Sequence, residues 1–173
     1  MQLFTFFILY ICSTVTNANN AVVYQVQGKP FSLSLPASWK NVSTTSVNFI
    51  AQGPEYDGTH SALFVSHTGL DRITFNAPRM EHDLPEYYAG RKEYIESKGG
   101  KLLKKILYEH SQIKGQEIFY VGVDYRLGDE VYYERSQYIS CRGSIFQVKS
   151  LDFETLGKPG SALQVGRTFA CKN

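Results

Sequence analysis

The chain lacks most of the signatures from which chemistry is usually read. No serine stands in a GxSxG elbow, and no HExxH or paired-histidine spacing occurs. The familiar nucleophile elbow and the helix-borne zinc site therefore have no foothold. Gly157-Lys158-Pro159-Gly160 has the wrong spacing for a phosphate loop and contains a proline. Excess charge is also missing: 18 Lys and Arg against 16 Asp and Glu give +2 and a pI near 8.4. That balance excludes nucleic-acid binding by bulk electrostatics. There is no internal repeat, no low-complexity stretch and, after residue 18, no long apolar run. No transmembrane helix is expected in that remainder.

The four histidines do not converge. His60 and His67 are separated by an odd number of positions, so a continuous strand turns them to opposite faces. In Glu81-His82-Asp83 adjacent residues point apart, and His110 ends a strand among charges. Neither a metal site nor a cofactor is expected.

What is present begins at Met1. Met1 to Ala18 holds no Asp, Glu, Lys or Arg; Leu3 to Cys12 is apolar, and Ser13 to Ala18 is short and polar. Thr16 and Ala18 occupy the −3 and −1 positions of a cleavage site before Asn19. This is the layout of a secretory signal peptide, too short to span a bilayer. The expected organisation is a signal at 1–18 and one domain over 19–173, secreted or periplasmic. The n-region carries no Lys or Arg, which leaves an uncleaved N-terminal anchor as the alternative. Cys12 departs with the signal. Cys141 and Cys171 remain as an even pair, read as a disulfide that ties the C-terminal tail to the body. A loop of that length stabilises by roughly 3.5–4 kcal/mol in the chain-entropy picture. The alternative of a reactive Cys141 has no neighbouring His or CxxC behind it. Asn41-Val42-Ser43 spells a glycosylation sequon, a triplet that also arises by chance.

Val22 to Gln27 and Phe31 to Leu35 read as strands, the second with apolar Phe31, Leu33 and Leu35 alternating with serines. Thr45 to Ala51 and Ser61 to Ser66 are further strands, and Gln52 to Thr59 reads as a loop between them. One strong helix follows. Asp83 is its expected N-cap with Glu86 completing a capping box, and Gly99-Gly100 stops it. Leu84, Tyr87, Tyr88, Arg91, Tyr94 and Ile95 share one face, with Tyr87 and Tyr94, like Tyr125, read as core beneath the helix. Leu103 to Ser111, Glu117 to Leu127, Glu130 to Cys141 and Ser144 to Phe153 form a meander with turns at Lys114-Gly115, Gly128-Asp129 and Arg142-Gly143. A short helix over Gly160 to Phe169 carries Leu163 and Val165 inward. The class is α+β, an antiparallel sheet of about six to seven strands flanked by helices.

Phe31-Ser32-Leu33-Ser34-Leu35-Pro36-Ala37-Ser38-Trp39 resembles the opening strand and P-x-x-W turn of PsbP-like domains. That superfamily also includes DcrB-type bacterial proteins and Ran-binding Mog-type proteins. The order of elements is similar over nearly the whole remaining chain. The resemblance implies an α/β/α sandwich and a binding or scaffolding role rather than catalysis. The cysteine pair and the long Ser66 to Met80 connection depart from the general pattern. In overall character the chain is similar to small exported accessory or host-interacting proteins of Gram-negative bacteria, a class that includes virulence-associated factors.

The meander also has a readable register. A two-residue turn at Gly128-Asp129 sets Asp124 opposite Tyr133, and one at Arg142-Gly143 sets Tyr133 opposite Asp152. The next row holds Gly122, Arg135 and Ser150, with Arg126 near the hairpin tip. Strands spaced 4.8 Å apart put the two aspartates about 9–10 Å from one another. Carboxylates so spaced suit an inverting glycoside hydrolysis, with Asp124, Asp152, Tyr133 and Arg135 as the catalytic set. The same residues equally make a cross-strand ion-pair network or a polar ligand pocket. Lys98, Lys101, Lys104 and Lys105 form a basic cluster suited to an anionic membrane surface or to guarding a strand edge. Tyr132 and Tyr133 place adjacent rings on opposite faces, which exposes one of them to a protein partner. The leading reading is a non-enzymatic binding protein for a protein or anionic-lipid partner; the other is a secreted hydrolase.

Overall fold

The structure is a computed structural model. It describes residues 21–25, 30–42, 49–71, 75–113, 116–154 and 161–172. The expected signal segment, the Lys114-Gly115 turn and Gly157 to Gly160 lie outside the described residues. In chain order the elements are β1 (Ala21–Gln25), β2 (Phe31–Pro36), β3 (Lys40–Asn41), β4 (Phe49–Tyr56), β5 (Thr59–Asp71), α1 (Ala77–Ser97), β6 (Lys101–Ile113), β7 (Gln116–Leu127), β8 (Glu130–Cys141), β9 (Ser144–Phe153), α2 (Ser161–Gly166) and β10 (Ala170–Cys171).

A seven-stranded antiparallel sheet runs β3-β4-β5-β9-β8-β7-β6, and a small sheet runs β1-β2-β10. One face of the large sheet carries β2 and α2. The alternation of β2 buries Phe31, Leu33 and Leu35 completely against Phe49, Leu63, Val65, Phe146 and Val148. Trp39 closes that end. Its N–H donates to the Pro36 carbonyl at 2.9 Å, so Pro36 to Trp39 is a tight turn. A Cβ on Gly53 would stand 3.2 Å from the Trp39 ring, so glycine there lets the indole lie on the strand. The opposite face carries α1, which lies across β6 and β7 with Met80, Tyr88 and Ile95 buried.

The meander follows the expected register. Leu127 faces Glu130 and Cys141 faces Ser144. Both turns are tight two-residue connections through left-handed backbone, with Gly128 at φ 61°, Arg142 at 51° and Gly143 at 83°. The disulfide forms, with Cα atoms of Cys141 and Cys171 at 5.5 Å. It fastens β10 to the end of β8.

Three expectations need correcting. The segment read as a loop, Gln52 to Thr59, is mostly strand: β4 runs to Tyr56 and β5 starts at Thr59, around an Asp57-Gly58 turn. Gly53 and Pro54 sit at a register shift in that pair, which is how a strand tolerates them. The helix starts at Ala77, seven residues before Leu84. Asn76 is the N-cap, its side chain accepting from the Arg79 N–H at 3.0 Å, and Pro78 sits in the first turn where its missing N–H costs nothing. Asp83 is therefore inside the helix. It accepts from Arg79 Nε at 2.6 Å and pairs with His82 at 2.9 Å, and those two hydrogen bonds hold its carboxyl below the usual range. Tyr94, expected in the core, is 51% exposed.

Candidate functional site

The face that carries β2 and α2 also carries the polar row. Asp124, Tyr133 and Asp152 stand opposite one another on β7, β8 and β9, and Gly122, Arg135 and Ser150 form the next row. A Cβ on Gly122 would fall 2.8 Å from Arg135 Cδ, so glycine is what lets the Arg135 side chain lie across β7. There its guanidinium meets Asp124 at 2.7 Å and donates to the Val123 carbonyl at 3.1 Å and the Glu134 carbonyl at 2.9 Å. The Tyr133 ring lies 6.0 Å from the same guanidinium.

Asp152 has a different duty. It is 2% exposed and receives Ser61 Oγ at 2.7 Å, Ser161 Oγ at 3.1 Å, and the backbone N–H groups of Ala162 and Leu163 at 3.0 and 3.3 Å. A carboxylate from β9 thus caps the first turn of α2, a favourable place for negative charge. The two aspartates share a row, but one neutralises a guanidinium and the other holds a helix down.

Tyr132 points to the α1 face. It stacks on Tyr125, centroids 5.2 Å apart, and tilts against Phe153 at 6.2 Å. On that face lies a pair that the meander register did not single out: Arg91 of α1 donates to buried Glu134 of β8 at 2.7 Å. Tyr87, Tyr125 and Tyr138 surround it. Burial pushes Tyr125 and Tyr138 each up to about 12, with the Glu134 charge adding to the rise, and pushes Tyr87 higher still. Arg91, Glu134, Tyr94, Tyr125, Phe64, Lys149 and Leu151 line a cleft of about 340 Å3 beside the helix. Parity along β8 was the available signal, since Glu134 shares a face with Tyr132 and Tyr138.

With this geometry in view, the likeness to known structures has a definite content. The solution structure of cyanobacterial PsbP (CyanoP) from Synechocystis sp. PCC 6803 superposes with a TM-score of 0.63, at 14% identity, over 94% of this chain and 98% of that one. The fold is PsbP-like. At that identity the likeness establishes the fold and nothing further. A looser similarity, on which no argument rests, is to the crystal structure of PA94 from Pseudomonas aeruginosa, titled a protein of unknown function and putative regulator, with a TM-score of 0.37 and 17% identity over 78% of this chain and 84% of that one. No family model matches the chain, and no curated protein matches it by sequence.

In this PsbP-like fold β6 is an edge of the large sheet, and its pairing is irregular. Leu102 faces Tyr125 and Lys104 faces Asp124; Ile106 faces Gly122 and Glu109 faces Tyr120. Each step holds one residue more on β6 than on β7, first at Leu103 and then at Leu107-Tyr108. Such bulges turn a side chain out of the sheet. Leu103 is 45% exposed and Leu107 83% exposed, the most exposed large apolar side chain among the described residues. Lys101 and Lys104 stand on one face of this edge, and Lys105 on the other, over the Tyr88 ring at 5.3 Å. Lys98 reaches over Tyr94 from the end of α1 at 5.9 Å. All four lysines are exposed. They were legible as a cluster; the outward turn of Leu103 and Leu107 was not, because a bulge has no signature in hydrophobic alternation. Among the described residues no helix is long and apolar enough to cross a membrane.

Proposed function

We propose that the protein is exported and acts outside the cytoplasm as a non-enzymatic binding protein, docking its β6 edge on an anionic membrane surface. The observation that carries this is Leu107, almost wholly exposed on the same edge strand as Lys101, Lys104 and Lys105, with Lys98 just before that strand. Each lysine near an anionic bilayer contributes about 1 kcal/mol. Full burial of a leucine side chain contributes about 1.5–3 kcal/mol. Together these suffice for reversible docking without a lipid anchor. Lysines alone would also serve to guard a strand edge. Guarding does not explain two bulges that turn leucines outward beside them.

The binding reading also draws support from the aspartates. Both oxygens of Asp152 are engaged by α2, and Asp124 sits 2.7 Å from Arg135. The hydrolase reading asks the same carboxylates to hold water and a sugar.

Sedimentation of the purified protein with vesicles tests the proposal. Vesicles of phosphatidylglycerol mixed into phosphatidylcholine are expected to retain it, phosphatidylcholine alone is not, and added salt weakens binding. Leu107→Ser and the combined Lys→Gln change at the four lysines are each expected to abolish retention. Equal retention on neutral vesicles, or none on anionic ones, would overturn it. A soluble protein captured saturably, and lost with the same substitutions, would assign the edge to a protein partner instead.

A further inference from the structure

A second site is assembled on the β2-α2 face, further along β6 than the lysines and Leu107 proposed to meet the membrane. Its floor is two neighbouring cross-strand rows. One row reads Glu109, Tyr120, Gln137 across β6, β7 and β8; the next reads Ser111, Ile118, Ile139. Arg167 and Phe169, which follow α2, stand over it, and the half-open cavity is about 500 Å3. That volume lies within the range of small-molecule sites. Ile118, Ile139 and Phe169 make one wall apolar while the other row is polar.

Three polar side chains, Gln137, Arg167 and Glu109, line this cavity. Gln137 is only 6% exposed, and its side chain lines the cavity. A Cβ on Gly166 would stand 3.4 Å from its Nε2, so the amide is packed under the end of α2 beside the cavity. Arg167 and Glu109 each form no ion pair among the described residues, and they line the same cavity with opposite charge. Both act on Tyr120 between them: burial raises its hydroxyl, Arg135 and Arg167 pull it down, and Glu109 pushes it up. Arg135 is already matched by Asp124, which leaves Arg167 as the cation available to a ligand.

We propose that this cavity binds a small zwitterion with an apolar body, of the class of an apolar amino acid or dipeptide. Arg167 and the Gln137 amide hold its carboxylate, Glu109 faces its ammonium, and Ile118, Ile139 and Phe169 cover its side chain. A plain monoanion of the fatty-acid type fits less well, because it would meet Glu109 with nothing to offer. A simple cation would meet Arg167. A wholly apolar molecule would leave the Gln137 amide unanswered.

Isothermal titration of the purified protein with free leucine, free phenylalanine and leucyl-phenylalanine tests the proposal, beside N-acetyl-leucine and octanoate. Saturable one-to-one binding of at least one zwitterion is expected. Loss of one charge-assisted contact weakens binding by about tenfold or more, so N-acetyl-leucine, Arg167→Gln and Glu109→Gln should each show that loss. Arg167 and Glu109 are exposed, so these variants fold; Gln137→Leu is expected to lose binding while its melting temperature holds or rises. No heat with any zwitterion, octanoate binding in preference to the amino acids, or unchanged affinity in Arg167→Gln would each overturn it. Vesicle retention is expected to be unchanged in Arg167→Gln and Gln137→Leu and, with one negative charge fewer on β6, no weaker in Glu109→Gln, so this site and the β6 edge fail separately.

Discussion

Beneath β2 and α2 the large sheet is covered by hydrocarbon; beneath α1 it is covered largely by tyrosine. The first interface is Phe31, Leu33, Leu35, Phe49, Leu63 and Val65, all at or near zero exposure. The second gathers Tyr87, Tyr88, Tyr108, Tyr125, Tyr132 and Tyr138 between α1 and the sheet, with the Arg91–Glu134 pair on the same face. The difference separates two ways of holding one sheet. Hydrocarbon stabilises by area and shape and is indifferent to pH. Tyrosine stabilises only while its hydroxyl is neutral or partnered. One face is thus an anchor, and the other responds to its surroundings.

The largest effect that tests this contrast is Phe31→Ala. Phe31 stacks on Phe169 at 5.0 Å and meets Phe146 edge-on at 5.3 Å. Its truncation is expected to cost about 3–5 kcal/mol in urea unfolding. On the α1 face Tyr88→Phe removes only the hydroxyl that donates to the Ile106 carbonyl, an expected loss of about 1 kcal/mol. If the two losses were equal, the division of labour would collapse.

Next comes the buried ion pair. Arg91→Leu leaves Glu134 charged, buried and without its guanidinium, and is expected to cost about 3 kcal/mol. Replacing both by leucine is expected to recover most of that, because two desolvation penalties disappear together. A double variant as unstable as the single would mean that the pair itself, rather than a stranded charge, holds α1 down.

Alkali sharpens the same contrast. Tyr125 and Tyr138 are held up to about 12 in the fold by burial, against about 10 in the unfolded chain. Because the folded pKa is the higher one, their contribution is fully present below pH 10 and is lost as pH rises towards 12. A melting temperature followed from pH 8 to pH 12 is expected to stay level to about pH 10 and then fall. Tyr138→Phe should lessen the fall, whereas substitutions at Phe31, Leu33 or Leu35 should leave its steepness unchanged.

The sequence disclosed the hydrocarbon face better than the tyrosine face, for a physical reason. Period-two alternation marks Phe31, Leu33 and Leu35 directly, and two-residue turns fix the register that sets Asp124, Tyr133 and Asp152 in one row. The onset of α1 was misplaced because Asp83 and Glu86 satisfy the capping pattern, while Asn76 is followed at once by Ala77-Pro78 and reads as a loop. Two competing caps are separated only by what the preceding turn packs against, here Phe75 and Met80 on Phe119 and Val121. The cavity under Arg167 was illegible because its roof and floor lie far apart in the chain. The leucines of β6 were illegible because a single extra residue in a strand leaves no periodic trace.

The smallest expected effect concerns the two aspartates that share a row. In Asp124→Asn, Arg135 keeps its bonds to the Val123 and Glu134 carbonyls and lies partly open to solvent, so the loss is expected to be about 1 kcal/mol. Asp152→Asn supplies only one acceptor oxygen where two now serve Ser61, Ser161, Ala162 and Leu163. Its amide also sets an N–H against backbone N–H groups, so the loss is expected to be about 2–3 kcal/mol. Because Arg167 and Phe169 follow directly on α2, only the Asp152 change is also expected to disturb the cavity they roof. Equal losses in urea would show that position along the row, rather than the helix that Asp152 caps, decides the worth of a carboxylate on this face.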